Sequence, residues 1–315
     1  MSALLRLGID AGGTNLRAGV FDEQGSLLWQ ERHPSDFSGL CGRLAPPQAL
    51  AQVLEALAAS IDAALAAQPR VGAVGIGFPG FIDPVTRILS ASPNLPGLHD
   101  VDLATPLAAR FGLPVALEND ALAAAFGEYR LQPTRSRGLL YLGLGTGVGG
   151  GLVLEGRPYA GEHGVAMEAG HLIVVPGGRP CGCGNRGCLE QYASASGVSH
   201  HYAESTGERL DAERIASRAV SGDGDALAAF RQAAGWLALG LSHVLKTVDV
   251  GDVVVGGGLT RSWELLAPHF GEALEQALIP ALRGKVRVRP STAQDRAGML
   301  GAAFLATPDQ NRKTP

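Results

Sequence analysis

The chain opens with short apolar runs cut by turn residues. Residues 4–9 form one such run, and 16–21 and 26–31 follow as second and third strands, the last after a turn at Glu23-Gln24-Gly25. Residues 35–47 are polar, with prolines and glycines, and are expected to be loop. From 48 to 67 alanines and leucines recur at helical spacing, which predicts a long amphipathic helix. Strands are expected at 71–78 and 115–117 and helices at 103–111 and 121–129, with a turn at 79–84 and a rigid loop at 91–97. Strands at 137–144 and 152–154 flank a glycine run. Helices then dominate, at 190–202, 211–220 and 224–248, and His200 and His201 are expected at the surface of the first. A strand at 252–255, a helix at 262–279, a strand at 286–288 and a helix at 297–306 close the pattern, and 307–315 is expected to fray.

The pattern repeats. Shifted by 135 residues, Leu7, Gly8, Ile9 and Gly12 fall on Leu142, Gly143, Leu144 and Gly147. Two strand–glycine turn–strand units, one per half, suggest a duplicated fold with a cleft between the copies. Glycine-rich turns between strands can aim backbone N–H groups at phosphate, though Gly-Gly is also common in plain hairpins. Asp10, at a strand end, is a hard carboxylate suited to hold Mg²⁺ through water. Gly145 to Gly150 also satisfies GxGxxG, but the dinucleotide fingerprint requires a helix next, and a strand is expected here. Gly256, Gly257 and Gly258 end another strand. They suit either a flat ligand on the backbone or a simple turn into a helix. Asp120 stands at a strand-to-helix junction, where an aspartate serves as a helix cap or as a catalytic base.

Composition narrows the class. Glycine supplies 44 of 315 residues, about twice the usual share; clustered and without a triplet period, these glycines mark backbone-lined sites, not fibre. The net charge of -4 and the lack of a basic run argue against nucleic acid and acidic membranes as partners. No apolar run reaches the roughly 18 residues of a membrane span, and the N-terminus lacks a signal-peptide pattern. A cytoplasmic protein is expected. Cys41 stands alone in the expected loop and is assigned no role.

The densest chemistry lies at 168–190. Glu168-Ala169-Gly170-His171 is followed by Cys181-Gly182-Cys183-Gly184-Asn185-Arg186-Gly187-Cys188-Leu189-Glu190. One histidine and three cysteines make a complete tetrahedral zinc set, which leaves no open position and so predicts a structural metal. Three of the chain's four cysteines fall here, which ordinary buried thiols would not require.

These segments resemble the ROK family of bacterial sugar kinases and related repressors, within the actin-like ATPase superfamily. Glu168 to His171 is similar to its ExGH motif, and Cys181 to Glu190 to its CxCGxxGCxE motif. The resemblance implies an α/β, two-domain actin-like (hexokinase/RNase H-like) ATPase fold: a first domain over 1–118, completed by the helix at 297–306, and a second over 119–296 with the zinc loop. It implies His171, Cys181, Cys183 and Cys188 as zinc ligands. Asp120 is implied as general base, and Gly80, Asn94, Asn119, Asp120, Glu168, His171 and Glu190 as sugar-binding. Asp10, Gly12, Gly13, Thr14 and Asn15 match a first phosphate segment, Gly145, Thr146 and Gly147 a second, and Gly256 to Gly258 the adenosine segment. ATP, Mg²⁺ and structural Zn²⁺ are the implied cofactors, and a homodimer the implied assembly. Two departures stand out. Leu122 replaces a frequent asparagine and is expected to affect packing only. Met167 replaces a frequent glycine beside a sugar ligand and bears on substrate choice.

The implied activity is ATP-dependent phosphorylation of a hexose 6-hydroxyl, glucose first, with N-acetylglucosamine, N-acetylmannosamine or fructose as alternatives. A sugar-responsive repressor is a different class. Its helix-turn-helix would precede the first glycine turn, and here Asp10 is only the tenth residue. A zinc-knuckle nucleic-acid binder lacks the basic and aromatic neighbours it needs, with only Arg179 and Arg186 near the cluster.

Overall fold

The computed structural model describes residues 4–12, 15–133, 136–293 and 296–306. The chain divides into two units, Met1–Arg135 with Gly151–Ala166 and Ala293–Pro315, and Ser136–Gly150 with Met167–Thr292.

The first unit begins with β1 (Leu5–Ala11), β2 (Asn15–Phe21) and β3 (Leu27–Pro34). The expected loop at 35–47 instead contains a helix, α1 (Phe37–Arg43). Asp36 caps it by accepting from the Gly39 N–H, and Phe37 and Cys41 point into the core. Cys41 is therefore a buried packing residue. After α2 (Pro46–Ala67) and β4 (Val71–Phe78) come the short strands β5 (Phe81–Ile82), β6 (Leu89–Ala91) and β7 (His99–Val101). Then follow α3 (Ala104–Phe111), β8 (Val115–Asn119) and α4 (Asp120–Leu131). By length and composition α2 is apolar enough to cross a membrane, contrary to the expectation for this chain. Its Val53, Leu57 and Ile61 are instead fully buried against the sheet residues Ile9, Val20 and Ile76.

The second unit contains β9 (Gly138–Leu144). Next, β10 (Val148–Leu154) carries the chain back to the first unit from Gly151, where β11 (Arg157–Pro158) lies. A 3-10 turn spans Ala169–His171. The helix expected at 190–202 is two helices, α5 (Glu190–Ala193) and α6 (Ala195–Thr206). Ser194 breaks them: its backbone is extended, and its hydroxyl donates to Glu190 O and accepts from Gly197 N. The unit continues through α7 (Ala212–Val220), α8 (Gly224–Val248), β12 (Asp252–Gly256), α9 (Trp263–Ala277) and β13 (Arg287–Pro290). The last helix, α10 (Arg296–Leu305), returns to the first unit.

The strand orders are β3-β2-β1-β4-β8 and β11-β10-β9-β12-β13. Numbered within each sheet, both read 3-2-1-4-5, so the duplication seen in the glycine turns extends to whole sheets. In the first, β1 pairs antiparallel with β2 and parallel with β4, and β8 is an edge strand beside β4. Helix α10 lies against this sheet almost backbone to backbone. A Cβ at Gly8 would come within 1.8 Å of Met299 O, and one at Gly75 within 1.8 Å of Ala302 O. Such contacts admit only glycine. Helix α4 joins the same packing, since a Cβ at Gly127 would lie 1.9 Å from Ala297 O. For this reason α4 goes with the first unit, and the chain divides at Arg135/Ser136, not at 118/119.

Candidate functional site

Within the second unit, His171, Cys181, Cys183 and Cys188 place one ligand atom each within 4.8 Å of one another. His171 Nδ1 lies 3.5 Å from Cys181 Sγ, and Cys183 Sγ lies 3.6 Å from Cys188 Sγ. These separations match the edges of a zinc–thiolate tetrahedron, about 3.8 Å for Zn–S bonds of about 2.3 Å. Burial, and then a hydrogen bond to Glu190 Oε1 at 2.9 Å, push the Cys181 thiol up. A divalent cation offsets that desolvation and turns such thiols into thiolate ligands. The donor set therefore fits zinc in number, spacing and chemistry.

The loop is built from local turns. Cys181 N donates to Asn185 O, Gly184 N to Cys181 O, and Val174 N and Val175 N to Gly187 O. Gly187 has φ +83°, and a Cβ there would stand 1.7 Å from Val175 O. The turn that delivers Cys188 thus requires glycine.

Two carboxylates flank the cluster. Glu168 Oε2 lies 3.7 Å from His171 Nε2, and Glu190 Oε1 3.9 Å from Nδ1. The other Glu190 oxygen rests on the second glycine turn: a Cβ at Gly147 would come 2.4 Å from Oε2. That turn joins β9 to β10 and is closed by Gly145 N donating to Gly147 O. A strand follows the glycines, so the GxGxxG match is not a dinucleotide fingerprint. Gly256 ends β12, the parallel neighbour of β9, in register with Gly143, and Gly257 and Gly258 follow it. Gly257 (φ +86°) sits against Leu144 O, and the faces of Gly145 and Gly258 are open. Both turns thus lie at the carboxyl ends of adjacent parallel strands, where α/β sheets bind ligands.

In the first unit, Asn119 and not Asp120 caps α4. Its Oδ1 accepts from Leu122 N, while its Nδ2 donates to Gly80 O at 3.0 Å. Asp120 Oδ1 accepts from Ala121 N, and burial pushes its carboxyl above the usual aspartate value. A carboxylate with raised proton affinity suits a general base. Asn94 is exposed in the loop after β6, its carbonyl held by the Ser38 hydroxyl. Asp10 is the penultimate residue of β1, with Arg17 Nη1 3.2 Å from Oδ2 and Gly298 of α10 against the carboxyl. Asn15 Oδ1 accepts from Arg32 Nε. Gly12 N donates to Asn15 O across the first turn. Gly13 and Thr14 lie outside the described residues.

Sequence reasoning missed three supporting groups. Glu118 is buried and paired with Arg87 at 2.9 Å. Arg179 grips Glu204 and Gln191 O and lies over the Tyr192 ring, 4.5 Å from its centroid, anchoring the start of the metal loop to α5 and α6. His201, expected at the surface, is 3 % exposed. Its Nε2 donates to Tyr192 O and its Nδ1 accepts from Arg179. The departures from the family pattern are also explained. Leu122 is a core residue, and Met167 has φ +69°, a conformation that favours glycine.

The ROK family model matches residues 6–309. A glucokinase of Streptomyces coelicolor is 32% identical over 96% of this chain and 97% of its own length. An N-acetyl-D-glucosamine kinase of Salmonella typhimurium is 33% identical over 96% and 99%. A crystal structure of a ROK family glucokinase from Streptomyces griseus, in complex with glucose and AMPPNP, superposes with a TM-score of 0.81, 32% identity, and coverage of 96% of this chain and 99% of that one.

Proposed function

The chain belongs to the ROK family, and from that premise we propose that it is an ATP-dependent hexose kinase acting on the 6-hydroxyl, with glucose as the first substrate. One observation carries the reading. Glu190 has one oxygen on Cys181 of the ligand cluster and the other against Gly147 of a glycine turn. A carboxylate suited to sugar hydroxyls is thereby fixed beside backbone suited to phosphate.

The roles follow from the chemistry. Asp120 accepts the proton of the attacking hydroxyl while the new O6–P bond forms and the bond to the ADP oxygen breaks. Gly80, Asn94, Asn119, Glu168, His171 and Glu190 are assigned to the sugar. Asn119 keeps one amide N–H beyond the bond to Gly80, enough for one hydroxyl. The glycine turns at Gly12, Gly145 to Gly147 and Gly256 to Gly258 are assigned to ATP. Asp10 is assigned to its Mg²⁺, with Arg17 sharing the carboxylate. His171, Cys181, Cys183 and Cys188 would hold Zn²⁺, which when bound fixes the loop and supplies no reacting group. The reading carries with it a cytoplasmic homodimer that binds neither nucleic acid nor membranes; the net charge of -4 supports the former exclusion.

N-acetylglucosamine kinase is the second reading, favoured by the Salmonella relative at 33% identity. A coupled assay of ATP consumption against hexoses and acetamido-hexoses tests both. Turnover of glucose supports the first. Turnover of acetamido sugars alone replaces it with the second, and no turnover of any sugar ends the kinase reading.

A further inference from the structure

We infer that Arg87 and Glu118 are positioning residues that set Gly80 and Asn119 for hexose recognition, an assignment that rests on the kinase reading. The two side chains close a ring within the first unit. Glu118, on the edge strand β8, accepts from the Asn119 N–H through Oε1 at 3.0 Å and from Arg87 Nη1 through Oε2 at 2.9 Å. Asn119 Nδ2 donates to Gly80 O at 3.0 Å. Gly80 leads into the β5–β6 hairpin, and Arg87, near its tip, returns to Glu118. The ring thus runs Glu118, Asn119, Gly80, hairpin, Arg87 and back.

Two features mark this as more than a surface ion pair. Glu118 is buried, and burial pushes its carboxyl up while the Asn119 N–H and Arg87 pull it down. Arg87 is the charged group that acts on it. Arg87 also has φ +60°, a conformation that disfavours any residue with a Cβ. The turn itself is already held by Asp83, whose Oδ1 accepts from Val85 N and Thr86 N and whose carbonyl accepts from Arg87 N. Glycine would satisfy that backbone better, so arginine stands there for its side chain, and the side chain's partner is Glu118. Backbone strain of this kind gathers where geometry serves a ligand.

Arg87→Gly separates positioning from stapling, because it removes the pair and relieves the backbone together. The expected result is a sugar KM raised roughly tenfold, the equivalent of one lost geometric constraint of about 1.4 kcal/mol, with ATP KM and kcat within about twofold of wild type. Without its guanidinium, Glu118 takes up a proton more readily, so this KM should climb further as pH falls from 8 to about 5.5, where wild type stays flatter. Adding Glu118→Gln keeps an acceptor for Asn119 N and needs no counter-charge, so the double variant should lose that pH slope. A pair that only staples the hairpin predicts a sugar KM within about twofold of wild type and no new pH slope, and that result overturns the assignment. If the wild-type protein itself turns over no hexose, the kinase reading fails first and takes the assignment with it.

Discussion

His171 directs Nδ1 at Cys181 Sγ, 3.5 Å away, and thereby turns Nε2 toward Glu168. A metal on Nδ1 fixes the tautomer with Nε2 free to bond a hydroxyl. On the kinase reading, the cluster is expected to act as a clamp on the residues assigned to the sugar, and not as a remote staple. Cys183→Ser or chelation is expected to lower bound zinc from one per chain and to raise the sugar KM strongly, while ATP binds almost as before. Metal analysis with calorimetric titration of metal-free, still-folded protein checks this. Unchanged sugar affinity in that sample leaves only the staple.

Asp120→Asn is expected to cut kcat by roughly 10²-fold to 10⁴-fold, the range for a lost general base, with a smaller change in sugar KM. Burial raises the Asp120 pKa above its ordinary 3.8. The acid limb of the wild-type kcat profile should therefore lie above that value, with activity lost as pH falls through the raised pKa. The same shift destabilises the fold. The folded state holds the proton more tightly, so stability declines as pH rises from 3.8 through the folded pKa. Asp120→Asn should then melt higher than wild type at pH 7, the difference closing below about pH 3.8. A variant with wild-type turnover would remove Asp120 from the base role.

Gly187→Ala and Met167→Gly should act in opposite directions. The added Cβ at 187 meets Val175 O at 1.7 Å, so the loop cannot keep its ligand geometry, and both zinc content and melting temperature should drop. Met167 already sits at φ +69° beside Glu168, and glycine there relieves strain of about 1 kcal/mol. Calorimetry of the two variants decides; a lower melting temperature for Met167→Gly would contradict it.

His201 should make stability fall on the acid side. Burial, and then Arg179, hold its pKa below the ordinary 6.5. The unfolded chain binds the proton first, so stability is lost as pH falls below 6.5 toward the folded pKa. Urea midpoints between pH 8 and 5 should decline more steeply for wild type than for His201→Gln. Parallel curves would show that His201 does not titrate on unfolding.

What the sequence determined by itself is what depends on neighbours along the chain. Apolar runs and glycine turns placed β1, β4, α8 and β12 within a residue or two. The ligand set was legible because His171 and the three cysteines lie within 18 consecutive residues and their turns are local. The 135-residue repeat pointed to a duplicated fold, and β1 and β9 each stand at the centre of a five-stranded sheet with the same strand order, which the tertiary structure supplied. Tertiary structure decided the rest. Helix α1 is seven residues long, too short for periodicity to reveal, and exists because Asp36 caps it and Phe37 and Cys41 find a core. His201 is buried because α6 turns it onto Tyr192 and Arg179. Arg87 and Glu118 stand 31 positions apart, and no local pattern links them. Burial and ion pairing are properties of what the folded chain brings alongside a residue, and spacing along the sequence carries that information only when the partner is a turn or two away.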